Sequence, residues 1–230
     1  MNIKSHIPNS ITLLNLLSGL IGIIWVFEGN YQTGAYFIFL SALLDFFDGF
    51  AARLLKVQGE LGKQLDSLAD VVSFGVLPGL ILFKMCGEVA TLNWLPYLTL
   101  IIPLFSAYRL AKFNIDSRQS EQFIGLPTPA NALFFSTLPF LKNEFPFLEN
   151  YLNTPWLLVV FAWVFSILLI AELPLIALKF KSFSFRSNEF RFVLLGLGLA
   201  SILVFGVAGI PPVILLYIGL SLLENLKSQK

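Results

Sequence analysis

Long apolar runs, separated by short polar segments, make up most of the chain. These runs approach or exceed the roughly 18 to 20 apolar residues that a helix needs to cross a bilayer. They lack the period-two alternation of half-buried strands, and an open sheet in lipid would leave backbone groups unpaired. The pattern therefore predicts an all-α, polytopic transmembrane helix bundle. Its eight helices are expected at residues 10–27, 34–54, 66–86, 93–113, 128–141, 155–178, 191–207 and 211–224.

The composition agrees with this interpretation. Hydrophobic residues make up 57% of the 230 positions, charged residues make up 13%, and mean hydropathy is +0.80. A water-soluble domain could not cover so much apolar surface with so few charges. The net charge of +1 gives no reason to expect nucleic acid as a partner, and the single Cys86 excludes an internal disulfide. We expect one domain over residues 1–230, with the first apolar run retained as its first helix.

The basic residues predict the orientation in the membrane, because cytoplasmic segments are enriched in Lys and Arg. If the N-terminus is cytoplasmic and the helices alternate, only Lys84 and Lys142 of the 15 basic residues fall on the outer side. Both termini are therefore predicted to be cytoplasmic. The basic residues on the cytoplasmic side are Lys4, Arg53, Lys56, Lys63, Arg109, Lys112, Arg118, Lys179, Lys181, Arg186, Arg191, Lys227 and Lys230.

Two pairs of aspartates flank the short polar segment between the second and third expected helices. Asp45 and Asp48 are three residues apart, and Asp66 and Asp70 are four apart, so each pair lies on one helix face. The first pair precedes the loop and the second pair opens the next helix. Because that loop is short, both pairs are expected at a similar depth, and four carboxylates can converge.

The negative charges of four carboxylates in a membrane helix bundle must be balanced by positive charge nearby. Each Asp costs about 2.5 to 3.5 kcal/mol to insert near a helix centre, and less near the interface. Two divalent cations would balance four negative charges. Oxygen ligands without nearby His or Cys favour Mg²⁺ or Mn²⁺ over zinc. The sequence therefore predicts a site for two divalent cations, with Asp45, Asp48, Asp66 and Asp70 as ligands.

Small residues accompany these aspartates. Gly49 and Ala52 fall near Asp45 on the helix wheel, and Gly62 lies one turn before Asp66. They leave room for a ligand that carries a diphosphate, and Arg53 can bind phosphate oxygens. Proton-coupled transporters and buried ion pairs also place acids in membranes. However, basic residues are too few at this depth, and transporter acids usually lie nearer the midplane.

From Asp45 to Asp70 the chain carries the pattern D-x2-D-G-x2-A-R-x8-G-x3-D-x3-D, with eight fixed residues in a 26-residue window. This pattern resembles the signature of the CDP-alcohol phosphatidyltransferases. The resemblance implies a helical membrane enzyme, usually a homodimer, that cleaves a CDP-linked lipid or alcohol. It also implies that the first three aspartates bind metal and that Asp70 additionally serves as the general base.

Three further stretches resemble one branch of that family, which transfers a phosphatidyl group from CDP-diacylglycerol to L-serine. They cover residues 8–15, 109–114 and 123–130, and the catalytic core is expected at about 8–140. The resemblance implies that Asn9 and Thr12 contact the CDP-lipid together with Gly49, Ala52, Arg53 and Gly62. Spacing alone would make Asn9 a helix N-cap.

The serine pocket is expected at the inner end of the fourth helix and the start of the fifth. Arg binds carboxylates well through paired hydrogen bonds, although basic residues here are also explained by membrane anchoring. Pro127 and Thr128 could line a pocket or form a plain turn, and Glu172 could face the bundle interior or the surface. The residues expected around serine are Arg109, Lys112, Asn114, Pro127 and Thr128.

The expected reaction therefore yields phosphatidylserine and CMP at the cytoplasmic face of a bacterial inner membrane, among membrane lipids. Glycerol-3-phosphate or inositol as the acceptor, and an ether lipid in place of diacylglycerol, stay open. A divalent-cation transporter is the alternative from another functional class, but it gives no purpose to Gly49, Ala52 and Arg53.

Overall fold

The computed structural model describes residues 3–116, 123–176 and 189–228. Within these ranges the chain is a bundle of α-helices with one very short pair of strands. After a 3₁₀ turn at Ile3–Ser5, the helices follow in order. They are α1 (His6–Phe27), α2 (Tyr31–Leu54), α3 (Glu60–Asp70), α4 (Leu77–Val89), α5 (Ile101–Ile115), α6 (Thr128–Glu144), α7 (Pro146–Leu152), α8 (Pro155–Ile170), α9 (Glu189–Phe205) and α10 (Ile210–Ser228).

A π-helical segment, Val71–Val76, joins α3 and α4 without a break, so that Glu60–Val89 forms one helix of 30 residues. A 3₁₀ segment, Leu95–Leu100, extends α5 in the same way. The strands β1 (Phe123–Ile124) and β2 (Pro174–Leu175) pair in antiparallel fashion. This small pair lies between the start of α6 and the end of α8.

Among the described residues, five helical runs are long and apolar enough to cross a membrane, and the bent pair α7–α8 could form a sixth. The prediction of a polytopic helix bundle is confirmed, and the chain is an integral membrane protein. The last run, Glu189–Lys227, folds back on itself. Arg191 Nη1 lies 3.2 Å from Glu224 Oε1, and Lys227 Nζ lies 3.1 Å from Glu189 Oε2, so α9 and α10 form a hairpin.

Contacts between helix ends show that the chain alternates between two ends of the bundle. We call the end where α2 finishes and α3 begins the acidic end. There, Lys63 Nζ donates to the carbonyl oxygen of Asn114 at 2.7 Å. At the opposite end, the rings of Trp94 and Trp156 lie 6.2 Å apart, and those of Phe145 and Phe205 lie 6.1 Å apart.

Glycines allow α1 to pack closely against its neighbours. A Cβ at Gly19 would lie 2.5 Å from Ser73 Oγ, and one at Gly22 would lie 2.5 Å from Leu77 Cδ2. A Cβ at Gly34 of α2 would lie 2.6 Å from Val26 Cγ2 of α1. These approaches bring α1 against both α2 and the long helix Glu60–Val89, where the aspartates lie.

Three expected helix boundaries are wrong. The first helix begins at His6 rather than at residue 10, so Asn9 lies inside it and Ser5 occupies the N-cap position. The third begins at Glu60 rather than at residue 66, because its first turns are polar and do not belong to an apolar run. The sixth ends at Ile170 rather than at residue 178, and the chain continues as the extended segment that contains Pro174.

Candidate active site

Three of the four aspartates meet at the acidic end. Asp45, Asp48 and Asp66 each offer a carboxylate oxygen, and these oxygens all lie within 4.8 Å of one another. Helix geometry explains the arrangement, because the first two residues are one turn apart on α2 and the third lies two turns into α3. The connection Leu55–Gly59 is short, with Lys56 in the left-handed conformation (φ 54°), and it reverses the chain tightly.

Asp70 lies outside this group of three but close enough to interact electrostatically with all of its members. Its Oδ1 accepts a hydrogen bond from Asn15 Nδ2 at 3.2 Å. Asn15 is fully buried, and its backbone oxygen accepts hydrogen bonds from Ser41 and Ser73. Asn15 therefore joins α1 to α2 and to the π-helical segment, and it fixes the position of one oxygen of Asp70.

Thr12 fixes Asp48 in a similar way. Its hydroxyl lies 2.6 Å from Asp48 Oδ2 and 3.1 Å from the carbonyl oxygen of Pro8. A hydroxyl has a single proton, and the carboxylate is the nearer and more strongly charged acceptor. We therefore assign the donated hydrogen bond to Asp48. Thr12 and Asn15 lie three residues apart, on one face of α1.

The residues of this cluster fit a hard divalent cation. Asp66 Oδ1 is buried and accepts no hydrogen bond in the described part of the chain, so its lone pairs are available. Within the described ranges, none of the four aspartates forms an ion pair with Lys or Arg. Several carboxylates at such short range repel one another unless a cation lies between them. Oxygen-only ligands suit Mg²⁺ or Mn²⁺.

An open cavity of about 620 Å³ adjoins the aspartates. Small residues shape its walls: a Cβ at Gly62 would lie 3.4 Å from Asn9 Oδ1, and one at Gly49 would lie 3.4 Å from Arg53 Nη1. All six residues expected to contact a CDP-lipid line this cavity, together with Asp48 and Asp66. The six are Asn9, Thr12, Gly49, Ala52, Arg53 and Gly62.

The cavity also contains residues that the sequence did not single out for the site. Lys63 and Phe113 line it, and so does Glu60 at the start of α3. Lys63 directly follows Gly62 in the signature, and its position there was the only available signal. Phe113 comes from α5, which no local spacing could place beside α2 and α3.

The residues expected around serine separate into three groups. Arg109 Nη1 donates to Thr128 Oγ1 at 2.9 Å, so these two lie together, and Pro127 directly precedes Thr128. Lys112 pairs instead with Glu172 at 3.2 Å. Asn114 Nδ2 donates to Ser67 Oγ at 2.8 Å on α3. The hydrogen bonds and ion pair of these residues therefore go to three different partners.

Glu172 does not lie inside the sixth helix, as its expected boundary implied. It follows the end of α8, in the segment that leads to β2, and there it pairs with Lys112 across the acidic end. The loop charges at Arg118, Lys179, Lys181 and Arg186 lie outside the described residues.

A family model described as CDP-alcohol phosphatidyltransferase matches residues 5–178, which includes every aspartate of the cluster. The chain belongs to this family. Three similar proteins are each named CDP-diacylglycerol–serine O-phosphatidyltransferase. The one from Helicobacter pylori is 31% identical over 194 residues, covering 84% of this chain and 80% of its own length.

The relative from Bacillus subtilis is 36% identical over 143 residues, covering 60% of this chain and 78% of its own length. The relative from Mycobacterium leprae is 32% identical over 176 residues, which is 74% of this chain. The match spans only 57% of that mycobacterial protein.

Proposed function

We propose that this protein transfers the phosphatidyl group of CDP-diacylglycerol to the hydroxyl of L-serine, forming phosphatidylserine and releasing CMP. One observation carries the proposal: carboxylate oxygens of Asp45, Asp48 and Asp66 meet beside a cavity large enough for a nucleotide head group. The names of the similar bacterial proteins support serine as the acceptor.

The four aspartates would hold two divalent cations, Mg²⁺ or Mn²⁺, with Asp45, Asp48 and Asp66 as the central ligands. Bound cations supply Lewis-acid stabilisation to the diphosphate of the lipid. Arg53 and Lys63 line the same cavity and would bind phosphate oxygens. Gly49, Ala52 and Gly62 leave the room that the diphosphate needs, and Asn9 lies beside Gly62 in the cavity lining.

Asp70 would accept the proton of the serine hydroxyl. The serine oxygen then attacks the phosphorus that carries diacylglycerol, and the bond from this phosphorus to CMP breaks. CMP leaves with the bonding electron pair. Because Asn15 hydrogen-bonds to Oδ1 of Asp70, the other carboxylate oxygen is left to take the proton.

We further propose that the acidic end lies at the cytoplasmic face of a bacterial inner membrane and that the protein is a homodimer. The basic residues support the orientation, since Arg53, Lys63, Lys112 and Arg191 all lie at the acidic end. The homodimer is inferred from the family alone.

The test is CMP release by the purified protein with CDP-diacylglycerol, Mg²⁺ or Mn²⁺, and separate acceptors. Serine should give the fastest release, and EDTA should stop it until metal is restored. Faster release with glycerol-3-phosphate or inositol would reassign the acceptor. Metal flux into proteoliposomes without any CMP release would contradict the enzyme proposal and favour a cation transporter.

A further inference from the structure

Helices α5 and α6 carry four buried polar side chains that make no hydrogen bond to the aspartates in the described part of the chain. Ser106 and Arg109 come from α5, and Thr128 and Asn131 come from α6. Ser106, Thr128 and Asn131 are fully buried, and Arg109 is 8% exposed. We call these four residues the α5–α6 polar cluster.

The geometry of the two helices brings the four residues together. Arg109 Nη1 bonds to Thr128 Oγ1 at 2.9 Å, which fixes the level at which α5 and α6 meet. The helices run in opposite directions here. Ser106 is three residues before Arg109, and Asn131 is three residues after Thr128, so both lie one turn deeper on the same faces.

Most of the hydrogen-bonding capacity of this cluster is unused. Ser106 Oγ, Arg109 Nε and both polar side-chain atoms of Asn131 are buried and have no partner in the described structure. A buried polar group without a partner is destabilising, and more so when it is charged. Three such side chains on adjacent helix turns would all gain hydrogen-bond partners from one polar ligand.

The free donors of Arg109 suit a carboxylate. Thr128 occupies Nη1, which leaves the edge formed by Nε and Nη2, and this edge can donate two parallel hydrogen bonds. Arg109 also lies close enough to Asp70 for direct electrostatic interaction. A small molecule could therefore place its carboxylate at Arg109 and its hydroxyl at Asp70.

The Asn131 side chain can accept a hydrogen bond, whereas the Arg109 side chain can only donate. Its amide oxygen can accept a hydrogen bond from an ammonium group, while its Nδ2 can donate to the carboxylate. We propose that the α5–α6 polar cluster binds the amino-acid head of the acceptor, with Arg109 on its carboxylate and Asn131 and Ser106 on its α-ammonium group. This inference deepens the proposed function and rests on it. It assigns acceptor recognition to Asn131 and Ser106 rather than to Lys112 and Asn114.

The experiment compares three acceptors in the CMP-release assay. Serine has both charged groups, ethanolamine lacks the carboxylate, and 3-hydroxypropanoate lacks the ammonium group. In Asn131→Leu, the KM for serine should rise on the order of ten- to one-hundredfold, because a hydrogen bond to a charged group is lost. The preference for serine over 3-hydroxypropanoate should shrink by a similar factor. The KM for CDP-diacylglycerol should stay within about twofold.

Arg109→Gln should give the complementary result, since it should reduce the preference for serine over ethanolamine most strongly. Thr137→Val is the matched control, because Thr137 is also buried on α6 but, among the described residues, its hydroxyl bonds only to the carbonyl oxygen of Phe134 in its own helix. It should leave both KM values and the acceptor preferences unchanged.

Folded Asn131→Leu with the wild-type KM and preferences would overturn the inference. An equal change in the KM of both substrates would also overturn it, because that indicates a structural role. If Asn131→Leu does not fold, Asn131→Ser keeps a polar group of smaller size and is judged by the same criteria. Failure of the wild type to use serine at all would instead reject the proposed function.

Discussion

At the scale of single residues, the acidic site consists of aspartates on α2 and α3 that side chains of α1 hold in position. Spacing of three and four residues places each pair on one helix face, and a short loop brings the faces together. All four aspartates come from two helices that are neighbours in the sequence, so local spacing is enough to predict that they converge. The hydrogen bond from Asn15 to Asp70 spans 55 positions and depends on how α1 packs, which local spacing does not contain.

Replacement of Asp70 by Asn should lower kcat with serine by about 10²- to 10⁴-fold, because Asn cannot accept the hydroxyl proton. Initial rates of CMP release at saturating substrates measure the effect. Glu149→Gln, an exposed change on α7 at the opposite end, should keep the wild-type rate. Full activity in Asp70→Asn would rule out its assigned role.

Asn15→Leu should reduce activity roughly tenfold or more, because it removes the hydrogen bond that holds Asp70 and leaves Oδ1 without a donor. Ser18→Ala is the matched change on the same helix, since the Ser18 hydroxyl bonds, within the part of the chain that the structure describes, only to the carbonyl oxygen of Phe37. Ser18→Ala should cost about 1 kcal/mol of stability and little activity. Thermal unfolding in detergent and kcat, measured together, separate the two effects. Equal losses of activity in both variants would contradict a specific role for Asn15.

At the scale of elements, apolar runs located the spans but not their polar ends. Glu60–Leu65 carries three polar or charged residues, so only packing reveals that it continues the helix. The π-helical segment Val71–Val76 has no signature in composition at all. The apolar pattern also does not reveal the extended segment after α8, because Leu173, Leu175 and Ile176 continue the apolar run of that helix.

Gly19→Ala should separate α1 from the π-helical segment, because the new Cβ would lie 2.5 Å from Ser73 Oγ and 3.0 Å from Ser73 Cα. Overpacking of this kind lowers the free energy of unfolding by about 1–3 kcal/mol. It should also displace Asn15, which lies one turn before Gly19 on α1. We therefore expect a lower thermal midpoint together with lower activity.

The matched control is Gly219→Ala on α10, where a Cβ meets nothing within 4 Å. It should be neutral or slightly stabilising, since Ala favours a helix more than Gly does. If Gly19→Ala is as well tolerated as Gly219→Ala, the close packing of α1 is not needed for the site.

At the scale of the whole molecule, the alternation of helices between two ends followed from the sequence, while the contacts within the bundle did not. Basic residues indicate which helix ends lie on the same side of the membrane, because Lys and Arg are enriched on the cytoplasmic side. They carry no information on which helices touch. The different partners of Arg109, Lys112 and Asn114 are a consequence of such contacts.

The orientation can be tested by cysteine labelling in intact cells, with a maleimide that does not cross membranes. Asn93→Cys, exposed at the end opposite the aspartates, should react from outside. Gln58→Cys, exposed at the acidic end, should react only after the membrane is opened. Native Cys86 is buried and should give little background. The reverse labelling pattern would place the aspartates on the outer face.

All four aspartates lie at a single end of the bundle, and this one-sidedness affects the bilayer itself. Under the proposed function, the water-soluble nucleotide departs into the aqueous phase while the new lipid stays behind in the leaflet where it was made. Every turnover would then change the head-group charge of that leaflet alone. The opposite leaflet would acquire the product only by transbilayer movement.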